Sequence, residues 1–102
     1  MLLIRDIMYC KPGKVRPMVD KFVAMAKVSE RHGMGKLRVT TDLCAERFWT
    51  VVVESEVPSL EAFTSMMESQ SEGAKEMEQL MKGYHEFVES GRREVYTIEG
   101  QA

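Results

Sequence analysis

The stretch LRVTTDLCAERFWTVVVESE, Leu37 to Glu56, holds two strand-like runs with no helix between them. Leu37, Val39, Thr41 and Leu43 alternate with Arg38, Thr40 and Asp42, the period-two pattern of a half-buried strand. Arg47 to Glu56 is rich in Val and aromatic residues, which suits a second strand. Only Cys44, Ala45 and Glu46 separate the runs, so the spacing predicts a hairpin in which Leu43 lies opposite Arg47. That pairing puts Trp49, Val51 and Val53 on one face with Leu37, Val39 and Thr41. Arg38, Thr40 and Asp42 share the other with Phe48, Thr50, Val52 and Glu54, because successive side chains of a strand point to opposite sides. The first face is strongly apolar and the second is mixed.

Upstream, Leu2 to Cys10 reads as a strand ended by the turn signal Lys11-Pro12-Gly13. From Lys14 to about His32, Val15, Met18, Val19, Phe22, Val23, Met25 and Ala26 recur at helical spacing, with Pro17 in a first turn and Gly33 and Gly35 as the stop. Downstream, Pro58 and Ser59 begin a helix with Leu60, Phe63, Met66 and Met67 on one side. Glu61 stands where the helix dipole favours a carboxylate. Ser69 to Gly73 interrupts the pattern before a second stripe of Met77, Leu80, Met81 and Tyr84. Gly91 precedes a short last strand around Glu94 to Glu99. The order strand, helix, strand, strand, helix pair, strand predicts an α+β fold, the ferredoxin-like βαββαβ plait: a four-stranded antiparallel sheet with its helices on one face. Right-handed crossovers place the third strand between the first and second, so Cys10 and Cys44 fall roughly 10 Å apart, two strand spacings. A disulfide needs Cα atoms within about 7 Å, and none is expected.

The chain has 102 residues, enough for one domain over residues 1–102 and no second. Its 14 Lys and Arg against 16 Asp and Glu give no basic field, which argues against nucleic acid and anionic membranes as partners. Leu2-Leu3-Ile4 is far too short an apolar run for a signal-peptide core or a membrane span, so a cytoplasmic location is expected. The nine Met residues fall mostly on the helical stripes, where pliable core packing accounts for them.

The helix-free face of the sheet is too apolar at Phe48, Thr50 and Val52 for full solvation and too polar at Arg38, Thr40 and Asp42 for a sealed core. A homodimer contact through Arg38, Thr40, Phe48, Thr50 and Val52 is the expected completion. The segments Tyr9-Cys10-Lys11-Pro12-Gly13-Lys14, Glu30-Arg31-His32-Gly33, Phe48-Trp49 and Gly91-Arg92-Arg93-Glu94-Val95-Tyr96 together resemble the dimeric α/β barrel superfamily, most closely its NIPSNAP-like branch. The resemblance implies two plaits packed sheet to sheet, with a cavity in each protomer between sheet and helices or near the dimer seam. It also implies a range of activities: cofactor-free monooxygenases, isomerases and cyclases, haem-binding or haem-degrading proteins, and proteins of no known activity. The chain contains no Asn, whereas the haem-degrading members use an Asn with a His.

Four residues are candidate polar groups of such a pocket. Arg5 and Asp6 are adjacent on the first, central strand and point to opposite faces, one as a ligand-orienting guanidinium and the other as a carboxylate base, against the favoured alternative of ion pairs with Arg38, Asp42 or Glu54. Tyr84 and His85 end the last helical stripe and could give or take a proton, although an exposed helix-end His is the plainer reading of His85. His32 reads as a helix-end residue favoured by the dipole and Trp49 as core packing. No phosphate loop, nucleophile elbow or HExxH pattern is present, the separated Cys and His positions predict no structural metal, and no cofactor is expected. Two functional classes stay open: a dimeric protein that binds a small apolar molecule without catalysis, and a cofactor-free enzyme acting on a small hydrophobic or aromatic substrate. An apolar pocket lined by Met, Phe and Val is the expectation for either.

Overall fold

In the computed structural model, which describes residues 1–101, the chain folds as β1 (Leu2–Cys10), α1 (Val15–Arg31), β2 (Leu37–Thr41), β3 (Thr50–Val57), α2 (Leu60–Glu68), α3 (Glu72–Met81), a 3-10 turn (Tyr84–Glu86) and β4 (Val88–Thr97). The strands form one antiparallel sheet in the order β2-β3-β1-β4. This is the α+β ferredoxin-like plait that the element order implies, with β3 between β1 and β2.

The helices begin and end where local chemistry dictates. Ser59 and Ser71 accept hydrogen bonds from the Ala62 and Ala74 amides at 3.1 and 3.2 Å, and Glu61 and Glu72 stand in the first turns of α2 and α3. The break between these helices is therefore Ser69 to Ser71, shorter than the sequence pattern suggests. Gly73 lies inside α3. It is buried there because a Cβ would come within 2.9 Å of the His32 ring and the Met34 sulfur. At the end of α1, the amides of His32 and Gly33 reach back to the carbonyls of Val28 and Glu30, and Gly33 takes the left-handed conformation at φ 67°.

The main core lies between α1 and the sheet. Met18, Val19 and Phe22 pack against Cys10, Val51 and Val53, with Met8, Met81, Phe87 and Val88 around them. Cys10 is buried and Cys44 exposed, and both are free thiols. Burial pushes the Cys10 thiol up from its ordinary pKa.

The hairpin differs from its expected register. Leu37 pairs with Ser55 and Thr41 with Val51, two residues away from the pairing implied by Leu43 opposite Arg47. A two-residue slip keeps the face of every side chain, so Val39 and Val53 still share the helix side and Arg38, Thr40, Val52 and Glu54 the other. The ladder stops early because Asp42 closes it. Its carboxylate accepts the Thr50 amide at 2.8 Å, and the Thr50 hydroxyl donates to the Arg47 carbonyl at 2.7 Å. Leu43 to Trp49 is consequently a loop. Trp49 adopts φ 63°, which turns its ring out of strand alternation and leaves it 45% exposed, so it does not pack in the core. Phe48, 84% exposed in the same loop, is not a strand residue of the helix-free face. It lines a shallow groove with Val15, Thr41 and Trp49.

β4 also starts earlier than expected, at Val88, with Gly91 in its interior. The register shifts opposite Tyr9 and Cys10, so that Tyr9 faces Ser90 while Cys10 faces Val88. This bulge at Glu89 turns Val88 toward the core and hides the strand from a period-two reading.

Candidate functional site

Parity along β1 sorts the candidate residues. Met8 and Cys10 pack under the helices, so Asp6 shares their face and Arg5, Ile7 and Tyr9 take the other. Arg5 is thereby separated from the remaining candidates. Asp6, Tyr84 and His85 border one open groove of about 360 Å³, between the β1–β4 ladder and the 3-10 turn.

Each wall has a local cause. Asp6 lies opposite Arg93 on β4, and the two form a forked ion pair at 2.5 and 3.3 Å. The Arg93 guanidinium also sits 5.0 Å from the ring centre of Phe63 on α2. Met8 lies opposite Gly91, where a Cβ would stand 2.8 Å from the Met8 sulfur and 3.0 Å from the Ile7 carbonyl. Glycine thus leaves the floor of the groove to Met8. Gly83, at φ 84°, turns the chain into the Tyr84–Glu86 turn. There the Tyr84 and His85 rings stack with centroids 4.0 Å apart and planes 34° apart. Tyr84 anchors the pair by packing on the core, and His85 is exposed.

The groove joins an imidazole and a phenol to a carboxylate already engaged by a guanidinium. It can present hydrogen-bond donors and acceptors around a thioether floor. It is more polar than the Met, Phe and Val lining expected from the sequence, because Arg93, Glu89 and Ser90 of the early-starting β4 contribute to it. Arg93 is the functional candidate that the sequence reading missed. Its signal was the pairing of β4 with Asp6, which the late start assigned to that strand obscured.

Arg5 belongs to a charge row on the helix-free face. Its guanidinium lies 3.5 Å from Glu54 and 3.3 Å from Glu94, while Arg38 meets Glu54 at 2.7 Å. Glu94 also accepts from Arg92 at 2.9 Å and from the Tyr96 hydroxyl at 2.8 Å. The Tyr96 hydrogen bond, then that of Arg92, holds the Glu94 carboxyl below the usual range, and Glu94 in turn raises the Tyr96 phenol. Arg5 is thus ion-paired on this face with Glu54 and Glu94. Of the residues expected on this face, Thr40 pairs with Val52 and Thr50 is buried at the end of β3.

A second cavity, about 570 Å³, opens between the C-terminal end of α1 and helices α2 and α3, with Met34, Ala62, Met66 and Gly73 in its walls. Beside it, Glu76 accepts hydrogen bonds from Arg31 and His32, which hold its carboxyl below the usual range. This cavity is the more apolar of the two and contains none of the candidate polar groups. Among the described residues, no group of three or more His, Cys, Asp or Glu side chains is placed to hold a metal ion.

No protein-family model matches the chain, and no curated protein matches it in sequence. Solved structures do match in shape. A NIPSNAP domain protein of Burkholderia xenovorans superposes with a TM-score of 0.73 at 11% identity, over 100% of this chain and 98% of that one. A protein of Deinococcus radiodurans provisionally named an antibiotic biosynthesis monooxygenase gives 0.67 at 13% identity, over 100% and 95%. A protein of Nitrosomonas europaea with the same provisional name gives 0.70 at 11% identity, over 98% and 100%. The chain has the fold of these proteins, as its resemblance to the dimeric α/β barrel superfamily implies.

Proposed function

We propose that this protein is a homodimeric, cytoplasmic small-molecule-binding protein that takes its ligand in the groove between the β1–β4 ladder and the Tyr84–Glu86 turn. One observation carries the reading: Asp6, distant in sequence from Tyr84 and His85, meets them and Arg93 around a single cavity. A small pocket with few polar groups fixes a ligand's orientation through them, and the Met8 floor supplies apolar contact. The ligand suited to it is small and partly apolar, with at least one hydroxyl, carbonyl or carboxylate for His85 or Arg93. No helix among the described residues is long and apolar enough to cross a membrane.

Binding stands ahead of catalysis because Asp6 is paired with Arg93 and the groove is open to water. A general base must be free to reach the proton it removes. Cofactor-free oxygenation, isomerisation or cyclisation is the second reading. The His85–Tyr84 stack at the mouth of the groove favours it, together with the provisional monooxygenase names of two proteins of the same fold.

The test is a titration of 15N-labelled protein with phenol and with benzoate as small probes. Amide shifts should cluster at Met8, His85, Gly91 and Arg93 and should weaken in His85→Ala. Shifts confined to Met34, Met66 and Gly73, or none at all, would overturn the assignment of the groove.

A further inference from the structure

Among the described residues, the core under α1 draws in Met8, Met18, Met25 and Met81. Met34 and Met66 instead line the cavity of about 570 Å³ between the C-terminal end of α1 and helices α2 and α3, together with His32. Met34 belongs to no helical stripe. It sits in the turn between α1 and β2, flanked by Gly33 and Gly35, both at positive φ. Its backbone is pinned by the buried Ser29: the Ser29 carbonyl accepts the Met34 amide at 2.8 Å, and the Ser29 hydroxyl donates to the Gly35 carbonyl at 2.8 Å.

The thioether held in this way meets an imidazole. The Met34 sulfur and the His32 Cγ each come to 2.9 Å of the point that a Cβ at Gly73 would occupy, so ring and sulfur share the room left by a bare backbone position inside α3. The ring is oriented from behind. Glu76 of α3 accepts from His32 Nε2 at 3.1 Å, and Arg31 holds the other oxygen of the same carboxylate. With the Nε2 proton committed to Glu76, Nδ1 carries the free lone pair, one bond from the Cγ nearest Gly73. A carboxylate behind a histidine is the arrangement that fixes the tautomer of metal-binding imidazoles and raises their basicity. Met66, from the last turn of α2, brings a second thioether to the cavity on a flexible stem. The field there suits a cation: the C-terminal ends of α1 and α2 border the cavity, and Glu72 lines it at the start of α3.

We propose that His32, Met34 and Met66 form a binding site for a soft monovalent cation, Cu(I), with His32 Nδ1 and the two thioether sulfurs as ligands and Glu76 as the positioning residue. Thioethers select Cu(I) over harder divalent ions, whereas an imidazole suits many metals, so the two sulfurs set the specificity. The sequence expectation of no structural metal counted the spacing of Cys and His, and thioethers fall outside that count. The site shares no residue with the groove at Asp6 and stands or falls independently of it.

The test uses the full chain carrying Cys44→Ser, because an exposed thiol would take a soft metal first. Protein with 13C-labelled methionine methyls and 15N-labelled histidine is titrated with Ag(I), a stand-in for Cu(I) that needs no reductant, in chloride-free buffer. Cu(I) affinity is measured under ascorbate by competition with bathocuproine disulfonate. One equivalent of Ag(I) should move the methyl signals of Met34 and Met66 and the Nδ1 signal of His32, leaving the other methionines in place. Zn(II) at the same concentration should leave the methyls unmoved. Glu76→Gln should weaken Cu(I) binding about 10–100-fold, and Met34→Leu, which removes a ligand, at least as much. Leu replaces Met with little change of volume, so Met34→Leu still decides the matter should Glu76→Gln fail to fold by circular dichroism.

Shifts confined to Met8 and Met18, which pack with the buried Cys10, would mean capture by that thiol and would overturn the site. A titration without methyl shifts overturns it as well, as does unchanged Cu(I) affinity in Met34→Leu or Zn(II) binding at His32 as tight as that of Cu(I). Unchanged affinity in Glu76→Gln alone strikes the positioning role of Glu76 from the proposal.

Discussion

On the helix-covered face, Val53 and Val51 are sealed by Met18, Val19 and Phe22 of α1. On the opposite face Ile7, Tyr9 and Val52 reach comparable burial, 4%, 8% and 9% exposed, with no helix above them. Over Tyr9 the cover is a pair of arginines. Arg47 lies 4.2 Å from the Tyr9 ring centre, and Arg92 approaches the same ring at 5.6 Å while hydrogen-bonding its hydroxyl. Long cationic side chains can lie along apolar surface while their heads stay wet. Equal burial thus has two physical origins, interlocked packing on one side and a movable polar cover on the other, and the two should respond differently to the same change.

The largest effect belongs to the interlocked side. Phe22→Ala removes a ring from the centre of the α1–sheet contact, where neighbours anchored in α1 and β3 have little freedom to collapse. A loss of about 3–5 kcal/mol is expected from urea unfolding. A loss below about 2 kcal/mol would mean that this face too can rearrange, and the contrast between the faces would fail.

Gly91→Ala tests the strand that crosses between core and groove. The added Cβ meets the Ile7 carbonyl, which is backbone and cannot step aside, as well as the flexible Met8 thioether. A cost of about 1–3 kcal/mol is expected. Combining it with Met8→Ala should relieve only the thioether part. Full recovery in the double variant would show that the backbone approach is unimportant.

The adjacent pair Val52 and Val53 sharpens the comparison further, since the residues differ mainly in the face they occupy. Each truncation to Ala removes two methyl groups, worth roughly 1.6 kcal/mol as transfer alone. Val53→Ala should exceed that because its cavity stays open, whereas Val52→Ala should fall below it as its neighbours Ile7 and Tyr9, with no helix holding them, settle into the space. Equal losses would mean that this face is held as rigidly as the other.

The same contrast explains what the sequence disclosed. The interlocked side was legible because it is written in period: Met18 and Phe22 on a helical stripe, Val51 and Val53 on an alternating strand, and an element order that admits few topologies. Even the wrong hairpin register kept its faces, because an error of two residues leaves parity unchanged. The rest was set by single polar atoms that have no period. The Asp42 carboxylate ended the ladder and released Phe48 and Trp49 into a loop. A bulge at Glu89 hid the first six residues of β4, and with them the Arg93 that completes the groove around Asp6, Tyr84 and His85. Arg5 and Asp6 could be assigned to opposite faces from parity alone. Which face held the groove depended on where the 3-10 turn landed.

The smallest effect is the dependence of stability on pH, and it separates the charge row from the ion pairs between the helices. Hydrogen bonds from Tyr96 and Arg92 hold the Glu94 carboxyl down in the folded chain, while an unfolded glutamate titrates near about 4.3. Between those two values the unfolded chain binds more protons, so the Glu94 contribution is complete above about pH 4.3 and is lost as pH falls through the folded value. Glu76, held down by Arg31 and His32, behaves in the same way on the helix side. The alkaline limb distinguishes them. Glu94 raises the Tyr96 phenol, so the folded chain keeps that proton longer than the unfolded one, and the contribution present below about pH 10 is lost as pH rises through the raised value. Glu94→Gln should therefore flatten both limbs of the stability profile, whereas Glu76→Gln should flatten only the acid one. Urea midpoints measured from pH 3 to 11 give the answer. The buried Cys10 thiol, also raised, leaves a residual alkaline slope in every variant; an alkaline limb as steep in Glu94→Gln as in the wild type would show that Tyr96 is held by something other than Glu94, and the row would then end at Arg92.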